Sequence, residues 1–116
     1  MRFAIAFLVL GSTLTASGAE EAKSKGTRFW NLTGETITKL ELAPAGTTEF
    51  GPDQAKNDKD GAVENDERLK VSDVASGTYD ARLTDDKGQV CLARGLEIKD
   101  GAVFSVEKDQ LKDCKP

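Results

Sequence analysis

Between Leu69 and Cys91 the chain alternates apolar and polar residues with a period of two, interrupted twice by turn-forming residues. Leu69 and Val71 alternate with Lys70 and Ser72; Tyr79, Ala81 and Leu83 alternate with Asp80, Arg82 and Thr84. Successive side chains of a strand point to opposite faces, so this pattern builds one core face and one wet face. Ala75-Ser76-Gly77 and Asp85-Asp86-Lys87-Gly88 supply residues that tolerate turn backbones. The stretch is therefore expected to be an antiparallel meander, and the rest of the chain has to cover its apolar face.

The flanking sequence supplies further strands. Thr27 to Leu32 is rich in β-formers, Thr33-Gly34-Glu35 reads as a turn, and Thr36 to Leu42 as the next strand. In that strand the apolar set changes phase between Ile37 and Leu40/Leu42, which predicts a bulge or a strand read on both faces. Pro44-Ala45-Gly46 turns again, and Thr47 to Phe50 reads as a short edge piece. Beyond the meander, Gln89 to Ile98 continues as strand with a bulge at Gly95. Lys99-Asp100-Gly101 turns, and Val103 to Val106 closes the set with Phe104 and Val106 inward. There is no long amphipathic helix. Tyr79, two residues after Gly77 at a strand start, fits either a tyrosine corner, in which the phenol bonds back to upstream backbone, or a plain half-buried tyrosine; both are structural.

The N-terminus reads as an export leader. Arg2 precedes the apolar run Phe3 to Leu10, and Ser17-Gly18-Ala19 places small residues before Glu20. Residues 1–19 are the expected signal peptide, since the apolar run falls short of the roughly 20 residues that span a bilayer. No cysteine follows the leader to carry a lipid anchor. Residues 20–26 read as a flexible tail, and 27–116 as a single domain. The address is then periplasmic or extracellular, with no membrane span after cleavage. Cys91 and Cys114 are the only cysteines, and in an oxidising compartment they are expected to pair. The bond would close a loop of about 24 residues, contributing roughly 3 kcal/mol by chain entropy. No histidine is present to activate a thiol or complete a zinc site. The expected fold class is all-β: a small immunoglobulin-like or transthyretin-like β-sandwich of about seven strands with one disulfide.

Loss of Arg2 with the leader takes the formal charge from −4 to −5. The surplus is local, because Glu49, Asp53, Asp58, Asp60, Glu64, Asp66 and Glu67 face only Lys56 and Lys59. No basic stripe with interleaved aromatics is visible along the chain, so nucleic acid is not an expected partner. Gly51 to Asp66 reads as a long acidic loop, a type of segment that is usually functional or disordered.

Within it, Lys56 to Glu67 (KNDKDGAVENDE) overlays the calcium loop D-x-[DN]-x-[DN]-G-x₅-E. Asp58 takes the third position, Asp60 the fifth, Gly61 the sixth and Glu67 the twelfth. Asp58, Asp60, Glu64 and Glu67 are the candidate calcium ligands. Lys56 at the first position departs from the pattern, and flanking helices are lacking. Asp53 is a candidate binding carboxylate or a turn cap. Phe29 and Trp30 are neighbours on opposite faces of a strand, so one is core and the other, with Trp30 the candidate, is an exposed contact. Phe50 is a further candidate binding aromatic. The sequon Asn31-Leu32-Thr33 would matter only in a eukaryotic secretory pathway.

Phe29-Trp30-Asn31-Leu32-Thr33-Gly34-Glu35-Thr36-Ile37 carries an F-x-N-x-T-G-x-T-I pattern. It is followed by Pro44-Ala45-Gly46, by Phe50-Gly51-Pro52-Asp53, and by Gly77, Tyr79, Asp80, Arg82, Gly88 and Cys91 in a G-x-Y-D-x-R…C pattern. This combination resembles a family of small exported bacterial β-rich proteins of undefined function. The chain departs from the family at Phe50, where a tryptophan is expected, and lacks a second cysteine pair. The resemblance implies an exported β-rich domain and no particular activity.

Catalysis has little to draw on. Without histidine the commonest general base is missing, and Ser/His/Asp or Cys/His arrangements cannot form. Carboxylate pairs could serve glycoside hydrolysis, but so small a domain has little room for the enclosed cleft. No glycine-rich phosphate loop is present. The expected function is that of an exported, monomeric, non-catalytic binding or interaction module without a cofactor, its partner an unknown protein or small ligand. Strand edges or the acidic loop would present the contact surface. The alternatives are a calcium-binding envelope protein using loop 56–67, and a small inhibitor of an exported enzyme.

Overall fold

The computed structural model describes residues 26–116. The expected leader (1–19), and residues 20–25 of the expected tail, lie outside the described residues. Seven strands follow in order: β1 (Thr27–Leu32), β2 (Ile37–Pro44), β3 (Arg68–Val71), β4 (Gly77–Asp85), β5 (Val90–Ile98), β6 (Val103–Glu107) and β7 (Lys112–Lys115). They form a three-stranded sheet in the order β3-β1-β6 and a four-stranded sheet in the order β2-β4-β5-β7. β1 pairs antiparallel with β3 and parallel with β6, while every pair of the larger sheet is antiparallel.

The meander and its alternation are realised in the structure. Leu69, Val71, Ala81 and Leu83 are buried with Phe29, Leu40, Leu42, Leu96, Ile98, Phe104 and Val106 in one core between the sheets. Phe29 and Phe104 meet there, ring centroids 5.6 Å apart. Both anticipated bulges are present: the β2–β4 register slips between Ile37 and Lys39, and the β4–β5 register slips opposite Gly95. Gly95 has φ +70°, a backbone that glycine adopts without Cβ strain. Tyr79 donates its phenol proton to the Ala75 carbonyl at 2.7 Å, closing the corner over Gly77. Cys91 and Cys114 are disulfide-bonded, so the tail becomes strand β7 against β5. No helix among the described residues is long and apolar enough to cross a membrane.

Two segments differ from expectation. Thr47 to Phe50 forms no strand; it lets Phe50 lie against Arg82 of the larger sheet. Residues 51–66 are not a free loop. A short 3₁₀ helix (Gln54–Asn57) fills their first half, and Gln54, Ala55 and Val63 are buried. Hydrogen bonds to the edges of β2 and β3, which composition does not reveal, hold the segment in place.

Candidate functional site

The acidic segment divides into anchors and a tip. The Asp53 carboxylate accepts from the N–H of Leu40 in β2 and of Ala55, both at 2.9 Å, and so caps the 3₁₀ helix. Gly51 N–H donates to Leu42, and Val63 exchanges two backbone bonds with Ile37. On the other sheet, Gln54 exchanges two bonds with Ser72, and Asn57 donates to the Lys70 carbonyl. Beneath lies Asn31, fully buried, whose amide donates to Val63 and Glu35 carbonyls and accepts from Thr33. The N-x-T-G pattern is thus a polar bracket that fastens β1, its following turn and the acidic segment together. Asp53, read from sequence as a binding candidate, takes a structural part.

The four candidate calcium ligands do not converge. Asp58 accepts from the Asp60 N–H and Glu67 from the Glu64 N–H, each closing its own turn. Among the described residues no three His, Cys, Asp or Glu side chains are grouped to hold a metal ion. Composition put enough carboxylates in one loop, but the 3₁₀ helix and the bridge at Val63 direct them apart.

The two aromatic candidates sit on opposite outer faces, each under an arginine. Trp30 faces out from the three-stranded sheet, with the Arg68 guanidinium 4.1 Å from its ring centroid. Its indole N–H donates to the Asp66 carboxylate at 3.0 Å, and Asp66 holds a left-handed backbone (φ 74°) at that corner. Register sets Lys70, Arg28 and Val103 in one row across the sheet, and Arg68, Trp30 and Ser105 in the next. Val103 is 50 % exposed. The face therefore carries three cations and the Asp66 carboxylate about one partly buried indole. Sequence reading missed this basic and aromatic surface because its residues lie about 40 positions apart and meet only through β1–β3 pairing. The one available signal was that Arg28 and Trp30 alternate with buried Thr27 and Phe29.

Phe50 lies on the outer face of the four-stranded sheet, where the Arg82 guanidinium is 4.2 Å from its ring centroid. Arg82 Nε also bonds Glu41 at 2.8 Å. Nearby, Asp80 accepts from the N–H groups of Gly46 and Gly95, which hold its carboxyl below the ordinary carboxylate value. Asp80 so ties the turn after β2 to the bulge in β5. A separate cavity of about 360 Å³ opens between the sheets beside the Asp85–Gln89 turn. Asp85 lines it, its Oδ1 accepting from the N–H groups of Lys87 and Gln89. At the rim Lys87 bonds Glu35 at 2.6 Å, which raises the lysine above its usual value.

Comparison of the chain with models of known families, with curated proteins and with solved structures finds no match.

Proposed function

We propose that this protein is an exported, non-catalytic binding module that recognises an acidic protein surface through the outer face of its three-stranded sheet. The observation that carries the reading is the set of Arg28, Arg68 and Lys70 around partly buried Trp30. Trp and Arg are the side chains most enriched where protein interfaces gain their energy. A cationic face on a chain of net charge −4 also orients the module toward an anionic partner. The disulfide and the leader-like N-terminus support export. The absence of histidine from the sequence supports a role without proton transfer.

Trp30 is the only tryptophan, so its emission reports on this face alone. Titration with a decaglutamate peptide is expected to change that emission saturably. The change should weaken with salt and vanish in the double variant Arg28→Glu with Lys70→Glu. An equal response to decalysine, or none to decaglutamate, would refute the reading. Tighter binding of a single-stranded oligonucleotide of equal charge would move the partner to nucleic acid. The Cys91–Cys114 bond is checked by thiol alkylation of the exported protein under denaturing conditions, where two reactive thiols would count against it.

A further inference from the structure

The outer face of the four-stranded sheet holds a groove of about 550 Å³, on the opposite side of the molecule from Trp30. Phe50 and Thr48 form one wall, and strand β7 forms the other. Its floor is Val90 and Leu92, the outward residues of β5 that alternate with buried Cys91 and Ala93. Outward positions of a wet sheet face are normally polar, so two partly covered aliphatic residues there call for an occupant.

The polar groups of the groove are predominantly cationic: Arg82, Arg94 and Lys115 against the single carboxylate of Asp113. Arg82 is held in place on two sides, through Nε by Glu41 and through its π-face by Phe50. Among the described residues its two terminal nitrogens take no hydrogen bond. Arg94 uses one terminal nitrogen on Asp113, 2.8 Å away, and keeps its other N–H groups. A guanidinium fixed in this way is a prepaid fork for a planar anion, since little side-chain freedom remains to be lost on binding. The β7 wall is held against β5 by the Cys91–Cys114 bond and the Arg94–Asp113 pair, which sets the groove's width.

We propose that this groove binds a small amphipathic carboxylate: the anionic head on Arg82 and Arg94, the apolar body along Phe50, Val90 and Leu92. The site is independent of the Trp30 face. Head and body are both required, because the floor offers no hydrogen bonds and the arginines alone sit in water, where an isolated ion pair contributes little. The volume falls in the range of small-molecule sites, and the groove joins an apolar floor to a few polar groups while staying open to solvent on one side.

The test is an NMR titration of the whole protein with octanoate, followed at backbone amides and at the Trp30 indole. Octanamide, octylammonium and acetate serve as the neutral, cationic and head-only controls. Octanoate is expected to shift the amides of Arg82, Leu92 and Arg94 saturably, with a Kd on the order of 1 mM, and to leave the Trp30 indole unmoved. Arg94→Gln and Leu92→Glu should each weaken binding about tenfold or more while preserving the amide spectrum outside β5 and β7. Both side chains are solvent-facing, so neither change empties the core. Octanamide or acetate binding as well as octanoate would overturn the proposal. So would shifts confined to the cavity around Leu83 and Leu111, or no saturable shift at all. Each of these outcomes leaves the decaglutamate response of Trp30 to decide the proposed function separately.

Discussion

The two flanks of the sandwich are closed by different means. Along β2 and β3 the segment 51–67 bridges the sheets without a covalent bond, through Asp53, Gln54, Asn57 and Val63. Along the other flank β7 adds to β5 with every residue exposed, and a disulfide and one exposed ion pair hold it. The first flank has buried polar partners to satisfy, and the burial of Asn31, Ala55 and Val63 makes their bonds expensive to lose. The second has almost nothing to bury, so a covalent link replaces a core. A small domain cannot close both sides hydrophobically. The acidic segment, which composition marks as the conspicuous surface feature, is anchored to both sheets through Asp53, Gln54, Asn57 and Val63. The thinly closed flank frames the groove.

This contrast can be broken at its strongest point first. Asn31→Ala removes four hydrogen bonds from a fully buried amide and is expected to cost about 4 kcal/mol, read from the urea midpoint. A loss under about 1 kcal/mol would show the bracket to be dispensable. Next in size, replacing Cys91 and Cys114 together by alanine should cost roughly 3 kcal/mol. Hydrogen exchange should then rise in β7 before it rises in β2 or β3. Loss of protection at β2 first would mean that the flanks are not separable.

Val63→Ala shortens a side chain with no exposure at all and should cost about 2 kcal/mol. A free loop would tolerate it. Asp80→Asn should cost about 1 kcal/mol near neutral pH, a figure kept small because the group is exposed. The folded carboxyl is depressed below 3.8, so its contribution is present above that pH and is lost as pH falls through the lower folded value. The stability gap between wild type and variant should therefore shrink below pH 3.8; a constant gap would remove the carboxylate from the account. Last, Asp58→Asn with Asp60→Asn at the exposed tip should change stability by less than about 0.5 kcal/mol. Millimolar calcium should leave the melting temperature where magnesium leaves it. A calcium-specific rise lost in that variant would restore the metal reading that the geometry does not support.

Much of this was legible in the chain. The alternation from Leu69 to Leu83, the phase change after Ile37, and Gly95 in a strand each carry a local cause, so strands and bulges could be read where they occur. Tyr79 and the cysteine pair were legible for the same reason: each has few ways to be satisfied. The acidic segment was legible as a long connection but not as an anchored one, because Asp53, Gln54 and Asn57 gain partners from strand edges distant in sequence.

The candidate sites were legible one residue at a time and not as surfaces. The sequence by itself determined that one of the neighbours Phe29 and Trp30 would be inside and the other outside, and that the chain is acidic in one stretch. Only the tertiary structure decided that Arg28, Arg68 and Lys70 would surround Trp30, and that Arg82 and Arg94 would share a groove with Phe50. The physical reason is that side-chain alternation along a strand is a local property of the backbone. Which strands become neighbours, and in what register, is settled by closing one shared core.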